Sequence, residues 1–182
     1  MIFSPESKLE LKIPSEFQLS EELAQKALAI IKTKNPRYMG GHGNVWLQGR
    51  LAIKRYNMDC ERFAIDEISV GRDLKARGVN VPEMFGVHSP ENYYRQGTFL
   101  VMERLNIIPI SYYAKGNICG PFIRSALEWK HFEQVSLLKK AGYSDRDNYQ
   151  SVWNTGVDKN GKVWLYDLAL CKKPTQQHLK TQ

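Results

Sequence analysis

The chain has 182 residues, 42% of them hydrophobic, which is enough to bury one core, or two small lobes sharing one, without covalent or metal staples. Its formal net charge of +7 favours acidic partners (nucleotide phosphates, nucleic acid, anionic membrane or an acidic protein surface) without choosing among them. The three cysteines, Cys60, Cys119 and Cys171, form no CxxC pair, and no apolar run approaches the ~18 residues of a membrane span. The expectation is a cytoplasmic protein with reduced thiols, no structural metal, no membrane association and no signal peptide.

After a polar, proline-punctuated start, Ser20 suits an N-cap, and Glu21 and Glu22 follow in the first turn, where their charge complements the helix dipole. Leu23, Ala24, Ala27, Leu28, Ile30 and Ile31 then recur at helical spacing, and Pro36 ends the helix by disfavouring helical geometry at Asn35. In "GGHGNVWLQGRLAIKRY", Val45, Trp46 and Leu47 face Leu51, Ala52 and Ile53 across Gln48, Gly49 and Arg50, the pattern of a hairpin. From Asp59 to about Arg77 the pattern is helical again, with Phe63, Ala64, Val70 and Leu74 on the apolar side and Gly78 as the stop. "VNVPEMFGV" and "TFLVMERL" read as two further strands, which completes a small α+β lobe. "NIIPISYYAKGNICGP" reads as a connector. Residues 122 to about 141 form a strong helix with Ile123, Leu127, Phe132, Val135 and Leu138 as its buried side. Two short strands around "DKNG" and a basic, polar end complete the chain.

Gly40, Gly41 and Gly43 would let the backbone approach a ligand closely, and the amides of such a loop can face phosphate oxygens. A Walker-type loop is excluded, because no Gly-Lys-Ser/Thr precedes a helix. Lys54 closes an apolar strand, where a charge must find a partner or reach back to water.

Taken in order, these residues resemble the protein kinase superfamily: a glycine loop ending in Gly43-Asn44-Val45, a "LAIK" strand carrying Ala52 and Lys54, and a helix carrying an acid. The passage "DEISVGRDLKARGVNVPEMFGV" is most similar to the kinase-like family that includes aminoglycoside phosphotransferases. The resemblance implies that Glu67 pairs with Lys54 and holds its ammonium ready for the ATP phosphates, with Asp66 and Asp73 as alternatives. It also implies that Met102 borders the nucleotide pocket and that the backbone of Glu103 to Leu105 meets adenine.

By the same resemblance, Asn154 and Asp167, thirteen positions apart, supply oxygens to Mg²⁺. The catalytic aspartate departs from the family spacing. Asp147 of "DRD" stands seven residues before Asn154 instead of five, so the readings are Asp147 or Asp145 as the residue orienting the acceptor hydroxyl, with Asn148 as an alternative metal-binding amide. Only fifteen residues follow Asp167, fewer than the family's activation segment and large C-terminal helices need.

The expected fold is therefore α+β: a minimal, two-lobed protein kinase-like domain with a truncated C-terminal lobe. Its divisions are an N-terminal extension and helix over 1–36, an N-lobe over 37–105, a reduced C-lobe over 106–170 and a tail over 171–182. The expected activity is ATP- and Mg-dependent transfer to a protein hydroxyl, by analogy with phage kinases or with bacterial effectors that enter a host cytoplasm and modify host proteins. Rival readings are a nucleotide-binding pseudokinase that recruits or inhibits a partner protein, and a small-molecule phosphotransferase. Nucleic-acid binding through Trp46, Trp153 and Trp164 ranks below these, because core packing explains aromatic residues on strands and the basic residues are dispersed.

Overall fold

The computed structural model describes residues 12–40, 42–57, 60, 62–90, 97–110, 121–143, 154–168 and 171. A single 3-10 turn (Ser15–Phe17) leads to helix α1 (Glu21–Thr33). Ser20 occupies the N-cap with extended backbone, and its carbonyl accepts the Ala24 N–H at 2.9 Å. Its side chain makes no capping bond, so the first turn relies on Glu21 and Glu22.

Strands β1 (Tyr38–Gly40), β2 (Gly43–Gln48), β3 (Leu51–Tyr56), β4 (Met84–His88) and β5 (Phe99–Glu103) form an antiparallel sheet in the order β1-β2-β3-β5-β4. The β2–β3 turn is two residues, not the expected three. Gln48 pairs with Leu51, and Gly49 takes a φ of 56°, the left-handed conformation that tight hairpin turns need and glycine adopts without strain. Alternation along the strands gives the sheet two covered faces. Trp46, Ile53, Phe99 and Val101 pack against Ala24, Ala27, Leu28 and Ile30 of α1. Ala52, Tyr56, Leu100 and Met102 turn the other way, into a core shared with helix α2 (Arg62–Ala76) through Ala64, Ile68, Val70 and Leu74. Gly78 closes α2 with a φ of 82°; the Val79 N–H reaches back to the Leu74 carbonyl at 3.0 Å.

Beyond Glu103 lies a second antiparallel sheet of β6 (Ile107–Pro109), β7 (Thr155–Asp158) and β8 (Val163–Leu165), with helix α3 (Pro121–Lys140) beside it. Part of the expected connector is thus a strand, β6, whose partner β7 lies some fifty residues further along the chain. Asn80 ties the two halves together. Its N–H donates to Gln134 Oε1 at 2.8 Å, its side-chain amide to the Val163 carbonyl at 3.0 Å, and its own carbonyl accepts the Leu165 N–H at 2.8 Å.

The face expected to be buried on α3 needs correction. Phe132 is 60% exposed, and the inward stripe is Leu127, His131, Gln134, Val135 and Leu138. Polar residues occupy this stripe because they have partners there: Gln134 accepts from Asn80, and His131 Nδ1 lies 3.3 Å from Thr155 Oγ1. Two of the tryptophans considered for base stacking are committed elsewhere. Trp46 is buried with its indole N–H on the Lys34 carbonyl at 2.8 Å, and the Trp164 indole donates to Asp158 at 3.0 Å. Trp153 and Cys119 lie outside the described residues, and Cys60 and Cys171 are free thiols.

Candidate active site

Period-2 alternation puts Ala52, Lys54 and Tyr56 on the same face of β3, toward α2. A lysine on that face enters the core, and Lys54 is only 7% exposed. Such a charge requires partners. Lys54 Nζ donates to Glu67 Oε2 at 2.8 Å and forms a second ion pair with Asp167 Oδ1. Burial alone would lower the lysine pKa; the attraction of Glu67 and Asp167, with their hydrogen bonds, outweighs it and raises the ammonium well above the ordinary lysine range.

Glu67 projects from the second turn of α2 and is 1% exposed. Three donors converge on its carboxylate: the Lys54 ammonium, the Tyr56 hydroxyl on the same Oε2, and the Leu168 N–H on Oε1 at 3.2 Å. Tyr56 also sets its ring beside the ammonium, 5.1 Å from Nζ to the centroid. Burial first, then the charge and hydrogen bond of Glu67, push the Tyr56 hydroxyl far above its ordinary pKa, so it remains a donor. Of the acids proposed for Lys54, Glu67 is the one on α2 that meets it. Asp73 is engaged elsewhere, accepting from Arg77 Nε at 3.0 Å and from the Tyr143 hydroxyl at 2.7 Å.

Asp167 follows β8 with a φ of 59°, left-handed backbone that few side chains other than Asn and Asp adopt readily. The turn aims its carboxylate at Lys54 while leaving the side chain 40% exposed to the cleft. Beside it, Tyr166 is pushed up to about 12 by burial and by the Asp167 charge.

These groups form one wall of a cleft of about 420 Å³ between the two sheets, within the range of small-molecule sites. Gly40, Gly43, Val45, Ala52, Lys54, Met102, Glu103 and Leu105 all line it, with Glu67 and Asp167. Tyr38, Met39, His42, Leu47, Pro82, Ile107, Pro109 and Tyr166 complete the lining, positions to which the sequence assigns no role in a site. Two of the backbone N–H groups expected at the adenine are used inside the protein, Glu103 on the Glu83 carbonyl and Arg104 on the Arg50 carbonyl, each at 2.8 Å. Leu105 is the remaining residue of that trio.

The glycines divide by role. A Cβ on Gly43 would fall 2.1 Å from the Arg55 carbonyl oxygen, so glycine is needed there for the β2–β3 pairing itself. A Cβ on Gly40 meets nothing closer than 3.6 Å. Gly41 lies outside the described residues, as do Asp145, Asp147 and Asn148.

Asn154 sits just before β7, where its carbonyl accepts the Tyr166 N–H at 3.0 Å; its side chain is not part of the cleft lining. Among the described residues no cluster of three His, Cys, Asp or Glu side chains is placed to hold a metal. The donor set fits Mg²⁺ only in the manner of nucleotide sites, where one or two protein oxygens share the ion with phosphates and water.

Tyr56 was missed in the sequence. Its signal was the alternation itself, since a residue two positions beyond Lys54 on a strand must share the lysine's face.

A scan of protein-family models finds no match to the sequence, and neither does a search of curated proteins. Among solved structures the chain is similar to "WaaP in complex with acyl carrier protein", at a TM-score of 0.60 and 17% identity, over 86% of this chain and 72% of that one. The fold is protein kinase-like. No helix among the described residues is long and apolar enough to cross a membrane.

Proposed function

We propose that this chain transfers the γ-phosphoryl group of ATP to an acceptor hydroxyl. The observation that carries the reading is the buried Lys54 ammonium, held by Glu67 of α2 and by Asp167 after β8, and facing a cleft walled by the described residues that the kinase resemblance assigns to the nucleotide. Lys54 would hold the α and β phosphates, with Gly40 and its loop above them. The apolar walls of Val45, Ala52, Met102 and Leu105 would enclose the adenine.

A bound Mg²⁺ would neutralise charge on the phosphate oxygens, and Asp167, which lines the cleft, would hold it; Asn154 would join it by turning its side chain toward the cleft. Asp147 would orient the acceptor hydroxyl and take its proton, with Asp145 as the alternative. The protein's contribution is then positioning and charge placement, without a covalent intermediate.

The acceptor hydroxyl belongs either to a protein or to a small molecule. The kinase-like fold accommodates both, and the small-molecule reading fits at least as well as the protein one. A second reading, binding without transfer, is supported by the direct contact of Asp167 with Lys54, which joins the proposed metal ligand to the proposed phosphate ligand.

The deciding experiment combines Mg·ATP binding by calorimetry with transfer of labelled phosphate from ATP into cell extract, resolved into protein and small-molecule fractions. Transfer that survives in both Lys54→Met and Asp167→Asn, each checked for folding, would overturn the mechanism. Binding without transfer to any fraction would select the second reading. The fraction that takes the label identifies the acceptor class.

A further inference from the structure

We infer that Tyr56 is a positioning residue of the nucleotide site, acting through Glu67 to keep the Lys54 ammonium available to phosphate. The inference rests on the nucleotide reading of the cleft. Its geometric basis is that Tyr56 and Lys54 both donate to one carboxylate oxygen, Glu67 Oε2.

An oxygen that accepts from a single ammonium concentrates its attraction on that ammonium and competes with any phosphate for it. Here the Tyr56 hydroxyl shares Oε2, and the Leu168 N–H takes Oε1. The carboxylate is therefore fixed at both oxygens before the ammonium is counted. The tyrosine ring beside Nζ limits where the ammonium can go. Tyr56 itself is packed into the core: it is 2% exposed, and its backbone N–H is bonded to the Thr98 carbonyl at 2.9 Å. Burial keeps the hydroxyl protonated through the physiological range, so the donor does not switch off. A packing residue at this point in β3 would need only the ring. The hydroxyl is directed into the charge pair.

Tyr56→Phe deletes the hydroxyl, keeps the ring, and leaves the backbone bond to Thr98 in place. The test is a double-mutant cycle of Tyr56→Phe and Glu67→Gln, read by calorimetric Mg·ATP affinity, with a urea midpoint taken for every variant. Tyr56→Phe is expected to weaken Mg·ATP binding about 5- to 10-fold in the natural chain and less than about twofold in Glu67→Gln, because the hydroxyl acts only through the carboxylate. Tyr56→Met, which removes both hydroxyl and ring, is expected to weaken binding at least as much, and it provides a second arm should Tyr56→Phe not fold.

A merely structural tyrosine would lower the urea midpoint in both backgrounds without a Glu67-dependent change in affinity, and that result overturns the inference. Unchanged affinity in Tyr56→Phe, or equal weakening in both backgrounds, also overturns it. Failure of the natural chain to bind Mg·ATP overturns the nucleotide reading, and the inference with it. That outcome is distinguished by appearing before any substitution is made.

Discussion

Replacing Lys54 with methionine tests the site through stability as well as through activity. The substitution preserves most of the side-chain volume and removes the ammonium, leaving Glu67, 1% exposed, without its cationic partner. Breaking a buried ion pair from one side costs about 3–5 kcal/mol, because the remaining charge is desolvated without compensation. Glu67 retains the Tyr56 hydroxyl and the Leu168 N–H, which places the expected loss at the lower end, about 3 kcal/mol. Removing the opposite partner differs. Asp167 is 40% exposed, so Asp167→Asn breaks a pair that water can replace, and about 0–1 kcal/mol is expected. With a urea m-value of about 2 kcal/mol/M, Lys54→Met should move the unfolding midpoint down by about 1.5 M and Asp167→Asn by less than about 0.5 M. Equilibrium urea unfolding followed by tryptophan fluorescence measures both. Equal shifts for the two variants, or a Lys54→Met midpoint within about 0.3 M of the natural chain, would refute the claim that burial of Glu67 decides the energetics.

Four further outcomes are expected. Gly43→Ala forces a Cβ into the Arg55 carbonyl, and a loss of about 3 kcal/mol or more is expected from thermal unfolding, whereas Gly40→Ala should stay within about 0.5 kcal/mol. The Asp158 carboxyl is held below its ordinary pKa, chiefly by the Trp164 indole bond and further by the Lys162 and Asn160 N–H groups, against the opposing effect of burial. A depressed carboxyl contributes stability that is present above its unfolded pKa and lost as the pH falls through the folded one. Melting temperature should therefore decline below about pH 4, and less so in Asp158→Asn. The raised Lys54 ammonium has the opposite sign: its contribution is intact below the ordinary lysine pKa and is lost only in stronger alkali, so the stability gap between the natural chain and Lys54→Met should be flat from pH 7 to about 10. Phe132→Ser, on the exposed face of α3, should leave the unfolding free energy from urea titration unchanged within about 0.5 kcal/mol.

What the sequence made legible followed from local periodicity. The α1 stripe, the β2–β3 hairpin and the Gly78 stop all depend on residues near each other in the chain or on regular repeats of 2 and 3.6, whereas the pairing of Lys54 with Glu67 is implied only by the kinase resemblance, with Asp66 and Asp73 left as alternatives. β6 was hidden because three residues carry no periodic signal, and its pairing with β7 is fixed by tertiary contact alone. The buried face of α3 was misread for a different reason. Phe132 reads as core by residue type, and His131 and Gln134 carry no apolar signal, yet burial follows the positions whose polar groups are satisfied, by Thr155 and Asn80. Those partners lie 24 and 54 residues away, so composition alone could not reveal them.

The glycine loop shows where residue type and residue role part. A glycine followed by Asn-Val before a lysine strand reads as a phosphate loop, yet at Gly43 the missing side chain is demanded by the neighbouring strand, with Arg55 occupying the space. A glycine needed for sheet pairing would stand there whether or not a nucleotide ever bound, so Gly43 adds nothing to the nucleotide reading. The weight moves to what the sheet does not require. A lysine buried on an inner face gives the sheet no packing advantage over an aliphatic residue, and two carboxylates from separate elements have to be brought to it. An arrangement that stability alone would replace with leucine is the part of this fold that points to a ligand.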